Sequence, residues 1–465
     1  MKTLLQCRLV GVCSAALAAA CLWSAAAGAQ EKSINAPAAP GTSATVPAEG
    51  TKLEQETVSP GPAPGRTVKP EEPVVATGTP FSAGSFLVYP EIDATWMYDD
   101  NLYYSNSNPV SDHAWIYSPA IWAQSNWTRH ALNFYAAWDS TRYQRYGSED
   151  SDDWRVSGEG RYDFNADTNV YGGARFSQDH EDRESPDARN GLTPTKYYQR
   201  RFYGGFFHQL GRVSVRVAGT AQHLNYDDVN FVTGSGAINI INNDDRDRWQ
   251  YTGGVRLGYE ASPRIEPYLQ LALDNRRYDA PLDDLSYQRD SDGRRYLVGV
   301  RWNVPRKVKL DAFAGRLKQD YADARFNDVS APVAGAALVW AVGPRTIVSA
   351  YVDRTVEETT VTYTPTPGNV LVSSSYLNTY VSAGLEHRFT DKLSGRINGS
   401  ISRVAYEGFD RTDDYKGGNI GLVYRLHRNL FLDLNLAARK LESSLPSENF
   451  TKRMVFVRIA VPLSH

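Results

Sequence analysis

From about residue 86 onward, the chain alternates apolar and polar residues in runs of roughly 10 to 15 positions. The clearest run covers 430–436, in which every second residue is leucine, and the runs 265–276 and 213–222 have the same rhythm. A repeat of two places successive side chains on opposite faces of a strand, whereas a helix repeats every 3.6 residues. The pattern therefore predicts long β-strands, with no helical domain between them.

The connections between these runs alternate between short turns and long polar loops. Gly211-Arg212 and Pro305-Arg306 are short turns, and 181–196 and 227–246 are long loops. About eight short turns and about nine long loops predict about eighteen strands, an arrangement typical of bacterial outer-membrane barrels. Because an unpaired backbone group in lipid is costly, the sheet must close on itself. We predict an all-β, closed antiparallel up-and-down transmembrane β-barrel whose first strand, about 87–98, pairs with its last, about 450–461.

Alternation also assigns a face to each residue of a strand. On the run 265–276, Leu269, Leu271 and Leu273 are predicted to face lipid, and Tyr268 and Arg276 to face the lumen. A charged side chain at mid-depth on the lipid face costs about 2–4 kcal/mol for Arg or Lys, so the charges should point inward. The residues predicted to line the lumen are Arg155, Arg161, Arg175, Arg216, Arg256, Arg276, Arg301, Arg396, Arg439, Arg458, Tyr135, Tyr268 and Tyr351. Aromatic residues including Tyr89, Trp122 and Trp302 are predicted to form girdles at the membrane edges.

The segment before the barrel divides into two parts. Residues 1–29 have a basic start, an Ala-rich apolar stretch and a small-residue cleavage site, so they are interpreted as a signal peptide. A lipoprotein signal built on Cys21 is the alternative interpretation. Residues 30–82 are rich in Pro and Ala and poor in large apolar residues, which predicts a disordered periplasmic segment. This segment is a tether, a docking tail or a plug, and the barrel takes up 83–465.

Composition and motifs exclude several classes of function. All three cysteines, Cys7, Cys13 and Cys21, lie in the signal, so the mature chain would have no disulfide or thiol chemistry. The net charge of −3 leaves no nucleic-acid footprint. The sequence contains neither a G-x-S-x-G elbow nor an HExxH motif, and its acidic loops lack the spacing of a calcium loop. We therefore predict a protein that is not an enzyme and has no cofactor and no metal site.

Two stretches resemble the bacterial family called putative β-barrel porin 2. One is YDDNLY at 98–103, and the other is 296–359, with its DYADARFNDVS loop, Trp340 and the closing RTVEET. The resemblance covers most of the chain from about residue 85. It implies a barrel in the outer membrane, often associated with exopolysaccharide export, and it carries over no catalytic residues. One departure is the C-terminus VPLSH, where many barrels end in an aromatic residue.

Three functions are compatible with these observations. The first is a polar conduit for exopolysaccharide or capsule secretion, for which the resemblance implies a periplasmic polysaccharide-export protein as a partner. The second is a general diffusion porin for small solutes, and the third is a non-transporting structural or surface-binding barrel. Each would contact outer-membrane lipid and lipopolysaccharide. The sequence does not specify the cargo, the oligomeric state or whether the lumen is open.

Overall fold

The computed structural model describes residues 80–463 with the exception of 186, 188–190, 234 and 367. The predicted signal peptide, nearly all of the predicted periplasmic segment and the last two residues lie outside the described residues. Within the described part, no helix is both long and apolar enough to cross a membrane. Three single-turn 3-10 helices, Gly147–Glu149, Asp244–Arg246 and Pro446–Glu448, occur in connections between strands.

Eighteen long strands form one antiparallel sheet in which each strand pairs with the next along the chain. They are β1 Phe86–Asp99, β2 Asp112–Ser125, β3 Ala131–Tyr143, β4 Ser151–Asn165, β5 Thr168–His180, β6 Lys196–Leu210, β7 Val213–Tyr226, β8 Arg248–Tyr259, β9 Ile265–Tyr278, β10 Ser291–Val304, β11 Val308–Tyr321, β12 Val329–Gly343, β13 Thr346–Glu358, β14 Ser375–Arg388, β15 Leu393–Tyr406, β16 Thr412–His427, β17 Leu430–Ser443 and β18 Phe450–Pro462. A short strand, Phe81–Ala83, folds back onto the start of β1.

The barrel closes between its first and last strands. β1 pairs with β18 from Glu91 opposite Pro462 to Asp99 opposite Met454. This closure confirms the predicted fold class and the strand number. It also leaves neither β1 nor β18 with an open edge in lipid, where unpaired backbone groups would be costly.

Short and long connections lie at opposite ends of the barrel. The tight turn between β6 and β7 uses Gly211 at a positive φ of 58°, a backbone conformation that glycine adopts without steric cost. Two of the long loops contain hairpins that the sequence pattern did not predict. Val229–Val232 pairs with Ile238–Ile241, and Thr362–Thr366 pairs with Asn369–Val372. By the convention of bacterial barrels, the long-loop end is the outer mouth and the short-turn end is periplasmic.

The two faces of the sheet differ as the alternation predicts. Leu269, Leu271 and Leu273 of β9 point outward and are 58%, 40% and 46% exposed. The girdle prediction is wrong for Tyr89 and Trp122. Both residues occupy positions of β1 and β2 whose side chains point into the barrel. Trp122 is buried, and its ring centroid lies 6.2 Å from that of Tyr135. Trp302, in contrast, occupies an outward-facing position of β10 and is exposed.

Candidate functional site: the lumen and its outer mouth

The thirteen residues predicted to line the lumen all lie at inward-facing positions of their strands. Five are half-buried: Arg161, Arg175, Arg301, Arg396 and Arg458. Eight are buried: Arg155, Arg216, Arg256, Arg276, Arg439, Tyr135, Tyr268 and Tyr351. Their function as the wall of a passage stays a prediction.

One group of these residues forms an ion-pair cluster on the strands around the closure. Asp433 of β17 lies 2.7 Å from the Arg396 guanidinium of β15 and 3.5 Å from that of Arg458 in β18. Arg458 also reaches Asp93 of β1 at 3.0 Å. Because these groups are buried or half-buried, their attraction is screened by water less than that of a surface pair. The cluster links four strands across the inner wall.

Arg155 forms a second group with two carboxylates. Its guanidinium lies 3.5 Å from Asp139 of β3 and 3.3 Å from Asp179 of β5. All three side chains are almost fully buried. A single arginine therefore connects the inner faces of three neighbouring strands.

Arg256 and Tyr268 share a third group with Asp311. Arg256 lies 3.2 Å from Asp311 and stacks over the Tyr268 ring at 4.0 Å. The Tyr268 hydroxyl donates a hydrogen bond to Asp311 at 2.5 Å. The tyrosine thereby provides both a π-face to the cation and a donor to the carboxylate.

The remaining predicted residues are distributed around the wall. Arg161 pairs with Asp163 at 3.1 Å and Arg301 pairs with Glu266 at 3.3 Å, both towards the periplasmic end. The Tyr351 ring packs 5.8 Å from that of Tyr380.

Arginines are direct cross-strand neighbours on one arc of the wall. Arg175 of β5 lies opposite Arg201 of β6, and Arg216 of β7 lies opposite Arg256 of β8. The arc β5–β8 is therefore rich in cations, whereas β1 and β17 contribute the carboxylates of Asp93 and Asp433. The lumen thus has a basic arc on β5–β8, whereas around the closure arginines and carboxylates pair with one another.

The outer mouth is crossed by the described residues of the loop between β5 and β6, which are 181–185, 187 and 191–195 and which we call the mouth loop. Glu184 of this loop accepts a hydrogen bond from Arg439 of β17 at 2.8 Å, and Glu181 accepts one from Arg246 at 2.9 Å. The Asp187 carboxylate accepts hydrogen bonds from the Thr359 hydroxyl and the Thr360 backbone N–H, both at 3.0 Å. Since these partners belong to distant parts of the barrel, the loop must lie across its interior.

Ion pairs also stabilise the base of the mouth loop. Arg183 donates two hydrogen bonds to Glu149, at 2.7 and 2.9 Å, and both side chains are buried. Beneath the loop, Lys452 lies 2.6 Å from Asp99 and 3.9 Å from the centroid of the Tyr104 ring. The outer end of the lumen therefore contains several buried pairs of opposite charge.

Burial changes the acidity of the loop carboxylates. The pKa values of Glu181 and Glu184 are raised, chiefly because burial disfavours the charged carboxylate, while Arg246 and Arg439 act in the opposite direction. In the neighbouring loop, burial raises the pKa of Asp245 to about 6.

The sequence interpretation missed the mouth loop, which it treated as one of about nine ordinary long loops. The alternating charges of Glu181, Arg183 and Glu184 are the available signal. Such a signal is weak, because charged loops are usual at the outer end of a barrel. The interpretation also did not foresee that inward side chains would be packed as tightly as Gln250, which is 1% exposed.

The barrel is similar to solved structures from Pseudomonas aeruginosa. OccK3 (OpdO) is 12% identical, with 81% of this chain and 96% of that chain covered and a TM-score of 0.41. The outer membrane protein OpdK is 11% identical, with 81% and 98% covered and a TM-score of 0.41. The siderophore receptor PirA is 10% identical, with 81% and 80% covered and a TM-score of 0.41. No curated protein matches the chain. A family model described as putative beta-barrel porin 2 matches residues 72–462.

Proposed function

Because this chain belongs to the putative β-barrel porin 2 family and is an outer-membrane barrel, we propose that it is a gated conduit for polar solutes. The observation that carries the proposal is a charged inner wall closed at its outer end by the mouth loop. A barrel of 16–18 strands is wide enough to leave an aqueous channel. In this conformation that space is occupied by a loop held through ion pairs, and ion pairs can be broken without unfolding the sheet.

The deep burial of the inner side chains favours a gated conduit over a pore for free diffusion. Gln250, Asp433 and Arg256 are 1%, 2% and 3% exposed, although each lies on the inner face. In a wide, permanently open pore, such side chains would contact water. This burial of the inner wall therefore supports a conduit that passes solutes when the mouth loop moves.

The cargo proposed from the family resemblance is an exported polysaccharide, delivered by a periplasmic polysaccharide-export protein. In this proposal, residues 1–29 are the cleaved signal peptide and 30–82 form a disordered periplasmic segment. Deleting the gene and measuring extracellular polymer tests the cargo. Loss of polymer, restored by the wild-type gene, supports export, and unchanged polymer overturns it while leaving the conduit itself in place.

The conduit is tested with purified protein in liposomes. Osmotic swelling in sugars of graded size is compared between the wild type and a variant in which a short Gly-Ser turn replaces residues 182–194. The proposal expects slow swelling for the wild type and faster swelling, with a larger size limit, for the shortened loop. Equal and fast swelling for both proteins would instead support a general diffusion porin.

A non-transporting barrel is the second candidate, and the interlocked charges of the outer mouth favour it. Arg183, Glu149, Lys452 and Asp99 form buried pairs that would make a permanent plug as readily as a gate. The same swelling assay separates the two functions. If the shortened loop leaves the liposomes impermeable, the barrel is structural.

A further inference from the structure

A cavity that opens to solvent lies against the inner wall of β7–β11, and its empty space together with the adjoining solvent is about 880 Å³. We call it the arginine cavity. Its wall includes Arg216, Arg256, Arg276 and Arg295 from the inner face, with Asp274 as the only inward carboxylate in the lining. The cavity lies on the basic side of the lumen, below the mouth loop.

Small residues make the space for this cavity. Ala218, Gly254 and Ala272 are direct cross-strand neighbours at one level of β7, β8 and β9, and all three line the cavity. At Gly293 of β10, a Cβ atom would lie 2.3 Å from the Gln319 side-chain oxygen. Glycine at that position therefore lets the Gln319 amide extend across the strand into the lining.

The four arginines differ in how they are already engaged. Arg276 pairs with Asp274 at 2.9 Å and with Glu358, and Arg256 pairs with Asp311 at 3.2 Å. Arg216 lies over the Phe207 ring, 5.1 Å from its centroid. Among the described residues, Arg295 is half-buried and makes no hydrogen bond or ion pair, although it interacts electrostatically with the Glu357 carboxylate of β13. A guanidinium presents five N–H donors in a planar fork that fits a carboxylate or phosphate. Arg295 is thus the side chain whose donors are available to a ligand.

Neutral polar groups complete the lining. The Gln270 oxygen accepts a hydrogen bond from Arg256 at 2.8 Å, and the Gln319 amide nitrogen donates one to Ser291 at 2.8 Å. Each amide keeps further hydrogen-bonding capacity that hydroxyl groups of a solute can use. Thr252 adds a hydroxyl-bearing residue to the same wall. The lining therefore combines one available cation with amide and hydroxyl groups.

We propose that the arginine cavity is a binding subsite for a small hydroxylated anion that carries a carboxylate or phosphate group, with Arg295 as its principal ligand. This assignment rests on the proposed function, since the ligand is a solute in transit through the conduit. Arg295 binds the anionic group, while Gln270 and Gln319 bind the hydroxyl groups. The row of Ala218, Gly254 and Ala272 provides the space.

The test uses isothermal titration calorimetry on the full-length mature protein in detergent, with D-glucuronate, D-glucose and inorganic phosphate as probes. We expect saturable binding of glucuronate, weaker binding of phosphate, and binding of glucose at least tenfold weaker than that of glucuronate. Arg295→Gln should weaken glucuronate binding at least tenfold. The matched control is Arg316→Gln, because Arg316 is exposed on the outer face of the neighbouring strand β11 and does not line the cavity.

A second variant tests the same site independently, in case Arg295→Gln loses binding because it misfolds. Ala272→Phe fills the cavity without changing any charge and should also abolish glucuronate binding, while both variants keep the β-sheet circular-dichroism spectrum of the wild type. Glucuronate binding that survives both substitutions would overturn the assignment, as would the absence of binding of both glucuronate and phosphate to the wild type. Conductance measured on the same preparations separates the two proposals. Binding by a barrel that never conducts supports the subsite and overturns the conduit, and conduction without binding does the reverse.

Discussion

Arg439 donates a hydrogen bond to Glu184 at 2.8 Å although 255 positions separate them in the sequence. Glu184 lies in the mouth loop between β5 and β6, and Arg439 lies on the inner face of β17. Both side chains are more than nine-tenths buried, so the contact is made inside the barrel and not over its rim. This pair ties the loop to the far wall and is the natural control point of the proposed gate.

Acid should favour the closed mouth loop. Burial raises the pKa values of Glu181 and Glu184 in the closed loop, whereas a released loop returns them towards 4.5, their ordinary value. Between the ordinary and the raised values, the closed state binds more protons, so lowering the pH through this window stabilises it. We expect single-channel open probability to fall as the pH is lowered through this window towards 4.5.

The double variant Glu181→Gln/Glu184→Gln is the control for this pH dependence. It removes both titrating groups and should flatten the response. A wild-type open probability that rises on acidification would show that protonation releases the loop, opposite to the direction that the raised pKa values require.

Asp433 on the inner wall should control ion selectivity. Asp433 neutralises Arg396 and Arg458, so Asp433→Asn leaves two arginines with one fewer carboxylate between them. We expect the reversal potential in a salt gradient to shift towards the anion's equilibrium potential. Asp414→Asn is the control, because Asp414 pairs at 2.7 Å with Arg403, an exposed residue on the outer face. An equal shift in both variants would mean that Asp433 does not act on the permeation path.

The outer face of β17 should tolerate no charge at mid-depth in the membrane. Leu434 is 42% exposed on the face that contacts lipid, and an arginine near the membrane midplane costs about 2–4 kcal/mol. Leu434→Arg should lower the free energy of unfolding in lipid bilayers by about that amount. Leu434→Ala measures the loss of the side chain without the charge and should be the milder change. Equal stabilities of the two variants would contradict the assignment of this face to lipid.

How much the sequence predicts depends on the range of the interaction involved. Strand alternation is local, so β17 and its inward Arg439 could be identified from neighbouring leucines alone. The partner of Arg439 could not, because Glu184 reaches it through the tertiary path of a long loop. Trp122 marks an intermediate case. The alternation within β2 was enough to predict which face Trp122 occupies. Aromatic residues occur both in membrane girdles and on inner walls, however, and only its packing against Tyr135 shows that it belongs to the inner wall.

The arginine cavity likewise combines a local feature that the sequence predicts with a long-range feature that it does not. The alternation placed Arg216, Arg256 and Arg276 on the inner face. It did not reveal that small residues on adjacent strands leave a cavity beside them, because cross-strand register depends on the whole sheet. Ala272 and Gly254 become neighbours only through the pairing of β8 with β9.

The central claim is that the mouth loop gates a charged lumen, and single-channel recording of Arg439→Gln tests it most directly. Removing one partner of a buried ion pair costs about 3–5 kcal/mol, because the other charge is left uncompensated, so the loop should be released at neutral pH. The wild type should open rarely, the variant should stay open with a larger conductance, and acid should close it again. Lys440→Gln, on the adjacent outward residue, should behave as the wild type. A variant conductance no different from that of the wild type would contradict the claim.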